Sequence, residues 1–71
     1  MSKRFKHPSD IEYFIWHSDK CTGKIVNEWD DFADALFAEN NASYWGSIDS
    51  ETQQIALEFG LELLEKYKIK Y

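Results

Sequence analysis

From Asp49 to about Lys68 the chain reads as one long helix with more apolar surface than its surroundings can cover. Asp49 or Ser50 is the expected start. At about 100° per residue, Glu51, Gln54, Glu58, Glu62 and Glu65 gather into one narrow polar stripe. Around the rest of the wheel stand Ile55, Ala56, Leu57, Phe59, Leu61, Leu63, Leu64 and Tyr67. A surface helix needs only roughly a third of its circumference apolar. This one is therefore either contacted on several sides or half core and half interface. Leu57, Leu61 and Leu64 are the residues expected at such an interface, in a homodimer or with another partner. Gly60 lies inside the apolar arc, where glycine costs about 0.5–1 kcal/mol relative to alanine. A close approach by another backbone would account for it.

The shortness of the chain sharpens the problem. Seventy-one residues make one domain. A domain this small buries only about 60% of its unfolded surface and usually needs extra support. A disulfide within the chain is excluded, because Cys21 is the only cysteine. That lone thiol, with no secretory signal and no run of apolar residues long enough for a membrane span, points to a cytoplasmic setting. Support must come from apolar side chains, and the 12 aromatics, three of them tryptophans, supply it. Residues 1–8 read as a mobile basic leader ending at Pro8.

Before the long helix, the period is harder to assign. Residues 11–17, Ile-Glu-Tyr-Phe-Ile-Trp-His, are β-branched and aromatic and favour a strand. The polar run Ser18–Gly23 and then Lys24–Trp29 complete a pattern of two β-rich segments around a glycine-bearing loop, which reads as a hairpin. From Asp30 the spacing of Phe32, Ala33, Leu36 and Phe37 is helical, with Asp30 as N-cap and Asn40-Asn41 as the stop. Asn40 to Asp49 is a loop. The expected fold is thus α+β: a hairpin at 11–29 packed across helices at 30–39 and 50–68. The alternative is an all-α three-helix bundle. Its first helix would span 9–20, starting at the capping-box spacing Ser9-Asp10-Ile11-Glu12.

Few residues here suit catalysis. His17, Asp19 and Cys21 lie near one another in sequence, yet a cysteine nucleophile needs a base and a depressed pKa. His7, His17 and Cys21 are the only nitrogen and sulfur metal ligands, short of the four that structural zinc takes. Carboxylate pairs such as Asp30 with Asp34 and Glu58 with Glu62 fall on expected solvent faces. Acid–base work requires a shielded cleft. Three separated glycines cannot form a phosphate loop. The expectation is a non-enzyme without cofactor or metal.

Charge is the functional lead. Between Lys24 and Lys66 there is no lysine, arginine or histidine, while Glu28, Asp30, Asp31, Asp34, Glu39, Asp49, Glu51, Glu58, Glu62 and Glu65 lie inside that interval. The net charge of -5 understates this segregation. An ordinary solvated face mixes signs. A field of one sign attracts cationic surfaces, and carboxylates one or two helical turns apart can imitate a row of phosphates. The expected role is a small acidic protein-binding module engaging a basic surface of a nucleic-acid-handling protein. In style it is similar to inhibitors and adaptors of phages and mobile elements. The expected contacts are Glu51, Glu58, Glu62, Glu65, Asp30, Asp31 and Asp34, with Tyr44 and Trp45 as aromatic anchors. Two alternatives stand beside it. One is a structural homodimer through the long helix. The other is a nucleic-acid binder using Lys3, Arg4, Lys6 and the alternating tail Lys66-Tyr67-Lys68-Ile69-Lys70-Tyr71. The acidic body opposes the latter, because phosphate is repelled by carboxylate.

Overall fold

The computed structural model describes residues 5–71 and contains three α-helices: α1 (Pro8–His17), α2 (Gly23–Glu39) and α3 (Ser50–Lys66). A short 3-10 turn, Trp45–Ser47, lies between α2 and α3. Among the described residues there is no strand. The α+β expectation is therefore corrected to the all-α alternative. Residues 11–29 form no hairpin, and α2 begins at Gly23, well before Asp30.

The reason lies in which residues each period would bury. As a strand, residues 11–16 would put Ile11, Tyr13 and Ile15 on one face and Glu12, Phe14 and Trp16 on the other. As a helix they bury Ile11 and Ile15 completely, half-bury Phe14 and leave Tyr13 and Trp16 outside. Fully burying an isoleucine is worth about 1.5–3 kcal/mol, several times its small deficit in helix propensity. The same holds for α2. Ile25, Val26, Trp29, Phe32, Ala33, Leu36 and Phe37 follow one unbroken helical period, with Ile25, Trp29 and Ala33 buried. Asp30 consequently lies within the helix rather than capping it.

Caps mark the helix ends. At α1 the cap is His7, whose ring nitrogen accepts from the Ser9 backbone N–H at 3.2 Å, with Pro8 in the first turn. Ser9 and Glu12 form no capping box. Asp49 caps α3 as expected, accepting from the Thr52 N–H at 3.3 Å and the Thr52 hydroxyl at 2.7 Å. Both α2 and α3 close through a left-handed residue, Asn41 at φ 51° and Lys68 at φ 57°. In each case a backbone N–H returns to the final turn, Ala42 to Phe37 O at 2.9 Å and Ile69 to Leu64 O at 2.8 Å.

All three helices touch one another, and α3 packs on both α1 and α2. This answers how so broad an apolar arc is covered. Ala56, Leu57, Gly60, Leu63 and Leu64 are buried, Phe59 and Leu61 are half-buried, and only Ile55 is left exposed. Trp29 stands at the centre with no exposed surface, its ring facing Phe32, Phe59 and Trp45. Phe32 and Phe59 stack at 4.1 Å between α2 and α3. The loop after α2 folds inward, so Trp45 and Ile48 join the core. Gln53 of α3 holds that loop, donating from Nε2 to the carbonyls of Trp45 and Ile48 at 2.7 and 2.8 Å.

The described segments flanking the helices are also anchored. Of the mobile leader expected at 1–8, residues 1–4 lie outside the described residues. Phe5 and Pro8 are buried, and Phe5 meets Phe14 and Tyr71 at 5.4 and 5.2 Å. Lys66 pairs with Glu28 of α2 at 3.2 Å, and the Tyr67 hydroxyl donates to the same carboxylate. The basic–aromatic alternation of the tail thus serves packing at Tyr67, Ile69 and Tyr71.

This fastening has a pH signature. The Tyr67 hydrogen bond, then Lys66, holds the Glu28 carboxyl below its ordinary 4.5. Its stabilisation is present above that value and is lost as pH falls through the depressed folded pKa. Tyr67 is shifted the opposite way, raised above 10.0 chiefly by Glu28. Its share is present below pH 10 and is lost as pH rises through the raised value. Urea midpoints between pH 2 and 5 are expected to fall less steeply in Glu28→Gln than in the parent. Asp49, depressed chiefly by the Thr52 hydroxyl, keeps part of the slope. Identical slopes in the two proteins would show that Glu28 contributes nothing to acid unfolding.

Candidate protein-interaction cleft

Glu12 projects from the middle of α1 with a half-buried carboxylate. Its Oε1 accepts from the indole N–H of Trp29 at 3.1 Å and of Trp45 at 3.4 Å. One turn further along α1, the ring of Trp16 stays 51% exposed, and its N–H donates to Asp30 Oδ1 at 2.9 Å. Every tryptophan of the chain therefore donates to a carboxylate. The pairing satisfies the polar edge of each indole while its apolar body packs, whether inside the core or at its margin.

These residues open onto a cleft of about 290 Å³ formed by α1, α2 and the loop after α2. Glu12, Asp30 and Asp34 bring carboxylates to it, and Trp16, Phe37, Tyr44 and Trp45 bring rings. The Tyr44 ring is 63% exposed and lies over Gly46. A Cβ on Gly46 would come 2.6 Å from Tyr44 Cε2, so glycine here lets the ring lie close to the backbone. None of the lining residues is basic. The Asp34 carboxylate accepts no hydrogen bond and forms no ion pair among the described residues.

Of the residues expected from sequence, the fold brings together Asp30, Asp34, Tyr44 and Trp45. Trp45 is 6% exposed and serves as a wall of the cleft, leaving Tyr44 as the projecting ring. Asp31 is exposed on α2 outside the cleft, and Glu51, Glu58, Glu62 and Glu65 are exposed along α3. Leu57 and Leu64 are buried in the chain's own core and Leu61 is packed against it. Sequence reasoning missed Glu12 and Trp16. Their i,i+4 spacing, matched by Asp30 and Asp34 on the next helix, becomes informative once both segments are read as helices.

A larger hollow of about 600 Å³ lies beside α1, with Asp10, His17, Asp19 and Lys20 at its edge. Its charges are of both signs, and His17 packs on Tyr13 at 4.2 Å. Burial pushes the Cys21 thiol up, with a weaker opposing effect from Ser18, which is the reverse of what a nucleophilic thiolate requires. Among the described residues no three His, Cys, Asp or Glu side chains converge as a metal site needs, and no helix is long and apolar enough to cross a membrane. Comparison with protein families, characterised proteins and solved structures finds no match to this chain.

Proposed function

We propose that the chain is a non-enzymatic protein-binding module that engages a basic surface, such as that of a nucleic-acid-handling protein. The observation that carries this reading is the unspent negative charge. Among the described residues the one ion pair is Glu28 with Lys66. Asp31, Asp34, Glu51, Glu58, Glu62 and Glu65 face solvent with no basic residue between Lys24 and Lys66 to neutralise them. Carboxylates arranged this way raise encounter rates with a cationic partner and make its binding salt-dependent. The exposed rings of Trp16 and Tyr44 add the apolar contacts that charge alone does not supply. Homodimerisation through α3 has less to draw on, since Leu57 and Leu64 face the core and Ile55 is the exposed large apolar residue of that helix.

The test is affinity capture from host-cell lysate with stepwise salt elution, run in parallel on the parent and on Glu51→Gln/Glu58→Gln/Glu62→Gln/Glu65→Gln. Exposed ion pairs contribute about 0.2–1 kcal/mol each, so four lost together should weaken binding roughly tenfold and lower the eluting salt. Retention of the same partner at unchanged salt would overturn the electrostatic reading.

A further inference from the structure

We infer that the cleft between α1, α2 and the loop after α2 receives a single arginine side chain of the partner; this rests on the protein-binding reading above and names the chemistry it selects. Three elements converge there, and they bring two kinds of group. Carboxylates come from Glu12, Asp30 and Asp34, and the exposed aromatic residues are Trp16 and Tyr44. A guanidinium uses both at once. Its plane stacks on aromatic faces while its edge donates to carboxylates. An ammonium is a compact, strongly hydrated charge and gains less from the rings.

Size and geometry narrow the occupant further. About 290 Å³ falls at the lower limit of small-molecule pockets and suits one side chain rather than a larger ligand. The carboxylates do not converge closely enough for a metal ion, so the matching cation is an extended one. Two of the three acids already accept from indoles, Glu12 from Trp29 and Trp45 and Asp30 from Trp16. Those bonds hold the Trp16 ring and the acids in place before binding, which lowers the ordering cost. Asp34, one turn beyond Asp30, is the acid without a partner among the described residues and is the primary acceptor for the incoming guanidinium. No lysine, arginine or histidine lines the cleft to compete.

The experiment titrates the full ¹⁵N-labelled chain at low salt with the capped peptide glycyl-arginyl-glycine and with its lysine counterpart. The readouts are the Trp16 indole N–H, assigned by its loss in Trp16→Phe, and the Tyr44 amide. The arginine peptide should shift both saturably and bind about threefold or more tighter than the lysine peptide. Asp34→Asn and Tyr44→Ala, both at exposed positions whose folding is checked by circular dichroism, should each weaken it about fivefold. Absence of a saturable shift at Trp16, equal affinity for the lysine peptide, or undiminished binding by folded Asp34→Asn would overturn the inference. If those results came with salt-sensitive capture that is weakened in the α3 glutamine variant, the broader reading would stand without the arginine pocket. Loss of neither capture nor peptide binding in the respective variants would remove both.

Discussion

Replacing Glu12 with alanine is expected to destabilise the fold by about 3 kcal/mol, the largest effect of any exposed or half-exposed acid. Trp29 has no accessible surface, so its indole N–H has no water to turn to when the carboxylate is gone. An abandoned buried donor costs about 1–3 kcal/mol, and a hydrogen bond to an ionised acceptor carries about 1.5–3 kcal/mol. Trp45, at 6% exposure, loses its acceptor at the same time. For a domain of this length total stability is about 4–10 kcal/mol, so the variant stands near the limit of folding. Its melting temperature should drop by about 10–20 °C. Glutamine separates the hydrogen bond from the charge. Both indoles reach the same oxygen, Oε1, so a glutamine with its carbonyl in that place keeps both acceptor contacts. Glu12→Gln should therefore cost only about 1 kcal/mol, the charge-assisted part. Urea unfolding followed by tryptophan fluorescence and by far-ultraviolet circular dichroism measures both. Alanine and glutamine variants of equal stability would show that the indole bonds contribute little.

The same residue shows where the amino-acid sequence was readable and where it was not. The third helix, its Asp49 cap and its acid stripe follow from a period that runs unbroken for 17 residues. The first half of the chain misleads because two signals compete there. Residues such as Ile11, Phe14, Ile15, Ile25 and Val26 carry strand propensity, while their spacing is helical. Propensity is worth tenths of a kcal/mol per residue and burial several times more, so spacing prevails. The helical period is continuous from Ile25 and Trp29 to Phe32 and Ala33, and a helix starting at Asp30 would break it. In a hairpin, Glu12 and Trp16 share a strand face with Phe14 and have no relation to Asp30. The cleft is thus legible only after the helical register is known. Charge and loop position point to Asp30, Asp34 and Tyr44. Glu12 was hidden because one acid among apolar residues gives no hint that two distant indoles share it. Nor does the loop sequence reveal that Trp45 turns inward, which depends on Gln53 taking its carbonyl from the neighbouring helix.

At Gly60, alanine is expected to destabilise the fold by about 1–2 kcal/mol even though it is the better helix former. Glycine in an apolar arc points to close approach by another backbone; the neighbours are instead two core side chains. A Cβ on Gly60 would come 2.8 Å from Ile11 Cδ1, 3.0 Å from Ile11 Cγ2 and 3.0 Å from Trp29 Cζ3. All three distances are shorter than van der Waals contact, and Ile11 and Trp29 are fully buried, so neither can move into solvent. Overpacking of this kind costs about 1–3 kcal/mol, against the roughly 0.5–1 kcal/mol that alanine returns in helix propensity. Glycine at this position is what lets α3 lie close to both α1 and α2. The origin of the penalty can be isolated by shortening the obstructing side chain. Ile11→Val removes Cδ1, and alone should cost about 0.5–1.5 kcal/mol. Combined with Gly60→Ala it vacates the tightest contact, so the double variant should be more stable than the sum of the two single changes by about 0.5–1 kcal/mol. Denaturant midpoints of the four proteins close the cycle. Strict additivity would place the strain at Trp29 and at Ile11 Cγ2, which valine retains, and a Gly60→Ala variant more stable than the parent would show that the three helices can move apart at no cost.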